Sequence, residues 1–269
     1  EAGHIAHKNI FLSRPGGSGA VGHSAGARAK ADGHTLQMAT FELSTMHWMG
    51  ISELTWENYE WLLQVNADPA ALLVRTDSTW SDIGSFVNAV RESPGKFKMS
   101  GTATGGAWDL ARAGMMLAAG LSVSDVVWVP TKGSAPSIVE LLGGHIDAVC
   151  CSVPEAAAQI EAGQLKVLAV MNDERIPEYP DFPTLKESGV DWSAVGWRGF
   201  GLPKTTPPET VADLMGRLEV IAGSDAYRAF MKKNGFGITL RKGDDFKAFL
   251  QAQDAQWKTV IEKAGFAKS

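Results

Sequence analysis

The sequence predicts an α/β protein whose sheets are mostly parallel, with helices on both faces. Three observations carry this reading. Strand-like and helix-like stretches alternate almost throughout the 269 residues. Two consecutive stretches, Phe97 to Ala119 and Val126 to Asp147, each run as strand, small-residue loop and helix. The helical stretches place apolar residues at i, i+3, i+4 and i+7, as at Ile83, Phe86, Val87 and Val90.

Taken in order, Asn9–Ser13 is the first strand and ends in Arg14-Pro15-Gly16-Gly17-Ser18-Gly19. A helix from Ala20 to Ala31 follows, and Asp32-Gly33 turns the chain. His34–Thr40 is the next strand and leads into a loop, Phe41–Thr45, at its carboxyl end. Trp61–Val65 and Ala70–Arg75 are two strands parted by Asp68-Pro69. Ser81–Ser93 is an amphipathic helix ended by Pro94-Gly95, before the Phe97–Met99 strand and the Ser100–Gly106 loop. The next strand ends at Pro130, and the chain turns through Thr131–Ser134 with Ser134 as N-cap. Ile138, Leu141 and Leu142 line one face of the helix that follows; it stops at Gly143-Gly144 before a strand through Ile146 and Val149.

Ser152-Val153-Pro154-Glu155 and Thr184-Leu185-Lys186-Glu187 both have the Ser/Thr-x-x-Glu form of a capping box, so a helix starts at each. Between them Lys166–Met171 is a strand, and Gly189 closes the second, short helix. Val195–Leu202 is extended. Thr206 caps a helix with Pro at its first position, burying Val211, Leu214, Met215, Leu218 and Ile221. The last helix, Asp244 to Ala264, carries Phe246, Phe249, Leu250, Trp257, Val260 and Ile261 on one side.

A chain of this length buries roughly 75% of the surface it exposes when unfolded, enough for one large domain or two intertwined ones. The net charge of -5 and the lack of a basic cluster exclude nucleic acid as a partner. No apolar run approaches the ~18 residues of a membrane helix. Cys150 and Cys151 are adjacent, where a disulfide would close only in a strained ring, and read as small buried residues. His4 and His7 could share a helix face, but no carboxylate or cysteine completes a metal set. There is no GxSxG elbow and no P-loop, and Asp109 and Glu155 stand near helix starts, where acids are expected for dipole reasons alone. No catalytic residue, cofactor or metal is expected.

Ligands in open α/β sheets sit outside the carboxyl ends of the strands. There the loops Ser100–Gly106 and Thr131–Ala135 each open a helix, whose free N–H groups and positive dipole end favour an anion. Ser100, Thr102, Thr104, Lys132 and Ser134 add donors of their own, so the expected ligand is a small acid. Trp108 and Trp197 flank predicted loop and crossover segments and are assigned to the cleft; the other tryptophans are assigned to the core. Arg198 either pairs with a second carboxylate or lies at the surface. One competing signal is Gly17-Ser18-Gly19-Ala20-Val21-Gly22, which satisfies GxGxxG with Glu42 twenty residues beyond it. It supports a dinucleotide-dependent enzyme as an alternative, although Arg14-Pro15-Gly16 stand between strand and motif.

The chain resembles the extracytoplasmic solute receptors of tripartite tricarboxylate transporters, the TctC-like or Bug-type proteins. The matching stretches are RPGGSGAVG (14–22), ADGHTL (31–36), PGKFKMSGTATGGAWDLA (94–111) and VPTKGSAPSIVELLGGHIDAV (129–149), then AGQLKVLAV (162–170), ERIPEYPDFPTLKESGV (174–190) and WRGFGLPKTTPPE (197–209). The resemblance implies a type II periplasmic-binding-protein fold, two α/β domains with a ligand cleft between them. It also implies a periplasmic, monomeric, non-catalytic receptor that delivers a small carboxylate to membrane permease subunits; a receptor signalling to a membrane partner is a further alternative. Domain 1 is expected to take residues 1–99 and 201–269 and domain 2 residues 100–200, with crossovers near Met99–Gly101 and Gly199–Leu202.

By position, the resemblance implies that Ser100, Thr102, Ala103 and Thr104, with Thr131, Lys132, Gly133, Ser134 and Ala135, hold carboxylate oxygens. Glu42, Leu43, Ser44 and Thr45 would add contacts from the first domain, and Cys151 and Ser152 would lie on the second domain's cleft face. Asp109 stands where the family usually has His, and Thr131 where Tyr is common. An acid at Asp109 repels a carboxylate unless it points away. The family's opening strand–helix unit, roughly 30 residues by the usual size of such units, is expected to be lacking ahead of the RPGGSG strand, since Glu1 already falls near the end of that first helix.

Overall fold

Strand β2, Tyr59–Arg75, sets the division of this fold. In the computed structural model, which describes residues 9–268, the expected pair of strands is one strand of 17 residues. Its first half pairs with β8 (Ile238–Lys242) through Leu63, Gln64 and Asn66. Its second half pairs with β5 (Ala148–Ser152) from Ala70 onward. Pro69, which has no N–H to give, falls between the two ladders, where a strand tolerates it. The chain accordingly forms two compact units, Glu1–Ala67 with Trp197–Ser269 and Asp68–Gly196. The first passage is therefore at Ala67–Asp68 rather than near Met99–Gly101, and the second at Gly196–Trp197, inside β7 (Val195–Pro203). The first falls at the Asp68-Pro69 break between the two expected strands, and the second lies inside β7.

The unit Asp68–Gly196 carries a sheet in the order β6 (Leu165–Val170), β2, β5, β3 (Phe97–Ser100) and β4 (Val126–Trp128). A single parallel bridge ties Val170 to Thr184, and among the unit's strands parallel pairing joins β3 to β4 and β5. Those strands follow one another through helical crossovers, α3 (Ala107–Ala118) and α4 (Ser134–Leu142). By contrast β2 enters as the continuation of another strand and pairs antiparallel with β5 and β6. The expectation of mostly parallel sheets fails for this reason. Helix α2, Ile83–Glu92, starts from a capping box between Asp82 and Ser85 and buries Ile83, Phe86, Val87 and Val90. Helix α3 is buried from Trp108 through Met116. Its Gly114 leaves the space that Trp192 fills: a Cβ there would lie 2.0 Å from Trp192 Cζ2. The short α5, Ala157–Glu161, leads to β6.

The other unit orders β1 (Gln37–Thr40), β7, β2 and β8, with β1 antiparallel to β7 and β8 antiparallel to β2. Its helices are α1 (Ala20–Ala27), α6 (Pro208–Ala222), α7 (Asp225–Lys233) and α8 (Gly243–Ala264). Helix α8 buries Phe246, Leu250, Trp257, Val260 and Ile261. Trp257 meets Phe41 edge-on at 4.8 Å, and Phe246 meets Trp61 at 5.1 Å and Trp197 at 5.8 Å. Such pairs contribute about 0.5–1.5 kcal/mol beyond their burial. Trp197, only 1% exposed, is thus a core residue and not a cleft residue.

Asn9–Ser13 is not a strand; it lies exposed and has no ladder partner among the described residues. Thr206 does not cap α6, because its hydroxyl donates to Pro203 O at 2.7 Å and Pro207 takes the cap position. Helix α7 and strand β8 went unexpected, since α7 buries only Met231 and β8 is an edge strand that exposes Ile238 and Leu240. Among the described residues no helix is long and apolar enough to cross a membrane.

Candidate functional site

In the unit Asp68–Gly196 the two helix-opening loops are tied to each other. Thr131 N donates to Thr102 O at 3.2 Å. Beneath them lies a hydroxyl cluster: Ser100 donates to Val129 O at 2.6 Å and lies 2.9 Å from Ser137, which is 2.6 Å from Thr131. Gly133 O accepts from this cluster at 3.0 Å. Ser100 and Ser137 are wholly buried, so their hydroxyls shape the loops. Thr102 is half-buried, while Ala103, Thr104, Lys132 and Ala135 are exposed at the loop surface.

Two glycines set the geometry. At Gly101 a Cβ would lie 2.2 Å from the carbonyl oxygen of Cys150, so only glycine lets the loop pass over β5. Gly133 is the N-cap of α4 at φ 126°, ψ -176°, a conformation left to glycine. Ser134 is therefore the first helical residue and not the cap. Its hydroxyl accepts from Trp108 Nε1 at 3.1 Å and donates to Glu155 Oε1 at 2.8 Å. Glu155 Oε2 accepts from the Ser152 N–H at 3.0 Å and from its hydroxyl at 2.8 Å, which is the capping-box bond expected there. Glu155, expected only as a helix-start acid, is thus bonded to the first residue of α4. The Ser-x-x-Glu spacing beside Ser152 was the signal that could have found it.

Asp109 does turn away from the loop surface. It is wholly buried, pairs with the Arg112 guanidinium one turn along α3, and accepts the Gly105 N–H at 2.9 Å. Arg112 also donates to Val123 O at 2.7 Å and lies over the Trp128 ring at 5.1 Å. The acid thereby folds the Ser100–Gly106 loop instead of repelling a ligand. Cys151 is fully buried in β5, and burial pushes both it and Cys150 well above the ordinary thiol range. Its side chain faces core, which corrects its assignment to a cleft surface.

In the other unit the segment Phe41–Ser44 is a single 3₁₀ turn. Glu42 accepts the Thr40 hydroxyl at 2.5 Å, and the Thr45 hydroxyl donates to Glu42 O at 3.1 Å. Leu43, Ser44 and Thr45 are buried, with Leu43 part of the core. Arg198 donates to the Asn66 side chain, and Asn66 donates to Gly237 O at 2.7 Å. Gly16, Gly17, Ser18 and Gly19 all have positive φ and form a tight turn before α1. His23 holds that turn through Gly19 O at 2.8 Å and accepts the Thr40 N–H at 3.3 Å. Among the described residues no strand precedes the turn, so the setting of a dinucleotide fingerprint is missing there. Among the described residues no three His, Cys, Asp or Glu side chains gather as metal ligands, and His4 and His7 lie outside those residues.

Two α/β units give the architecture, and the family match gives the class, a solute-binding receptor. Residues 2–266 match the family described as "Tripartite tricarboxylate transporter family receptor", TctC, and the chain belongs to that family. It is 33% identical to a TctC solute-binding protein from Polaromonas, at a TM-score of 0.83 over 97% of this chain and 88% of that one. It is 26% identical to the periplasmic binding protein BugD, at a TM-score of 0.80 over 94% and 86% of the two chains. An R. palustris protein solved with adipate is 25% identical, at a TM-score of 0.84 over 98% and 89%. Proteins of this family are solute-binding receptors, not enzymes.

Proposed function

We propose that this chain is a periplasmic receptor that captures a small carboxylate-containing ligand and hands it to the permease subunits of a tripartite tricarboxylate-type transporter. Membership of the receptor family supports the transport role, and the relative solved with adipate supports the carboxylate. The observation that carries the reading is the bond between Thr131 N and Thr102 O, which joins the loops opening α3 and α4. The first N–H groups of each helix have no partner within it, and such groups favour anionic oxygens. Thr104 and Lys132 stand at that surface with further donors, and the Thr102 hydroxyl there donates to Ala103 O at 3.2 Å, a long bond that a ligand carboxylate would replace.

A thermal-shift screen against small carboxylates, with oxidised and reduced nicotinamide nucleotides included, tests the function. A ligand at 100 times its dissociation constant adds about 2.7 kcal/mol of stability. Stabilisation by a carboxylate and not by the nucleotides is the expected result; stabilisation by a nucleotide alone would return the function to the Gly17–Gly22 turn. Thr102→Ala and Lys132→Met should each weaken carboxylate binding by about 1 kcal/mol or more, by the usual worth of hydrogen bonds to charged groups. Unchanged affinity in both variants overturns the placement on these loops.

A further inference from the structure

The acid on the α4 side of the site differs in kind from the acid on the α3 side. Glu155 is exposed, yet both of its oxygens are held by buried serines: Ser134, 6% exposed, and Ser152, 3% exposed. Three donors reach a carboxylate that has about four acceptor positions, which leaves one open. The single proton of the Ser134 hydroxyl points at Glu155, and its acceptor side is taken by the Trp108 indole. It has no proton left for a ligand carboxylate. No lysine or arginine pairs with Glu155 among the described residues, whereas Asp109 is matched by Arg112.

We propose that Glu155 sets ligand specificity: the site takes a carboxylate whose second polar group is a hydrogen-bond donor, an amine or a carboxamide, and selects against a dicarboxylate. The proposal rests on the reading of these two loops as the ligand site. The ligand's carboxylate lies toward the Ser100–Gly106 loop, whose acid is neutralised by Arg112. Its donor end meets the open position on Glu155. A second ligand carboxylate placed there would face a fixed like charge within a few ångströms, a penalty of at least about tenfold in affinity even after solvent screening.

Calorimetric titration of the purified chain with three ligands of matched length tests this: adipate, its monoamide, and the amino acid carrying an amine in place of one carboxylate. The wild-type chain should bind the amide or the amine at least about tenfold more tightly than adipate. Glu155→Gln should erase that preference through a gain for adipate and a loss for the amine. Glutamine keeps an acceptor for the Ser152 N–H, since a capping box accepts either residue. The ratio between ligands is also insensitive to the fraction of folded protein, so it separates selection from stability. A wild-type preference for adipate, or the same ratio in Glu155→Gln, overturns the specificity and leaves the carboxylate site standing. Binding of none of the three to either protein removes the site along with it.

Discussion

The loops opening α3 and α4 lie against each other in one unit and grow from neighbouring parallel strands, yet their acids are handled in opposite ways. Asp109 lies one turn from Arg112 on its own helix, is shut off from solvent, and caps a backbone N–H of its loop. Glu155 comes from the segment after β5, stays exposed, and is held only by neutral donors. An acid near a helix start is thus shut into the fold when a cation is buried with it, and stays exposed when neutral hydroxyl and backbone donors hold it. Proximity to the site does not separate the two cases; the partner does.

The largest effect that would break the comparison is at Arg112. Arg112→Met should cost about 3–5 kcal/mol in urea unfolding, because the Asp109 carboxylate stays buried with its charge unpaired. Asp109→Asn combined with Arg112→Met should recover most of that loss, since no charge remains and the asparagine oxygen still accepts the Gly105 N–H. Glu155→Gln, by contrast, should shift stability by about 1 kcal/mol or less, as expected where an exposed acid keeps its capping geometry. Equal losses at Arg112 and Glu155 would erase the distinction.

The glycines of the two loops sharpen it further. Gly101→Ala drives a Cβ onto the Cys150 carbonyl, a backbone atom that cannot move aside, and should cost about 3 kcal/mol, the upper end of overpacking. Gly133→Ala meets no atom within 4 Å and should cost only the conformational strain, about 1–3 kcal/mol, with the smaller loss expected of the two. Urea midpoints rank them directly. The α3 loop is constrained by contact, the α4 loop by its dihedral angles.

What was legible in the sequence follows the range of the interactions. The start of α3 and the apolar stripe of α8 are short-range signals and stand in the structure as read, while α2 starts two residues later, at Ile83, and the Ser152–Glu155 capping box opens a 3₁₀ turn ahead of α5. The continuity of β2 through Pro69 was hidden because it depends on where two ladders end, which no local residue reports. At the site, the partner of Asp109 lay three residues away and could have been read as a helical pair. The bond from Ser134 to Glu155 spans twenty-one residues, and β5 brings its ends together. Leu43 and Cys151 were placed by position in a family pattern and Trp197 by its nearness to a crossover segment, and burial assigns all three side chains to packing.

The smallest effect concerns a third acid, whose partner can titrate. His47 Nε2 lies 2.9 Å from Asp254, with side chains 14% and 19% exposed. Burial holds the His47 pKa below its ordinary value against the pull of Asp254, and burial raises that of Asp254, with Glu57 adding to the rise. Lys258 lies nearby, over the Trp48 ring at 4.7 Å. As pH falls, unfolded His47 takes its proton near pH about 6.5 while folded His47 does so lower down. Its contribution to stability is therefore full above about pH 6.5 and lost as pH falls through the folded value. Asp254 works in the opposite sense, since its raised pKa favours the folded state as pH falls through that value. Between about pH 7.5 and 5.5, the wild-type chain should lose more stability than His47→Gln in denaturant titrations. Asp109→Asn with Arg112→Met should keep the wild-type slope, because arginine does not titrate there. Parallel slopes for wild type and His47→Gln would mean that the His47–Asp254 pair carries no proton linkage, and that the pair, unlike Asp109 with Arg112, is held by burial without a charge.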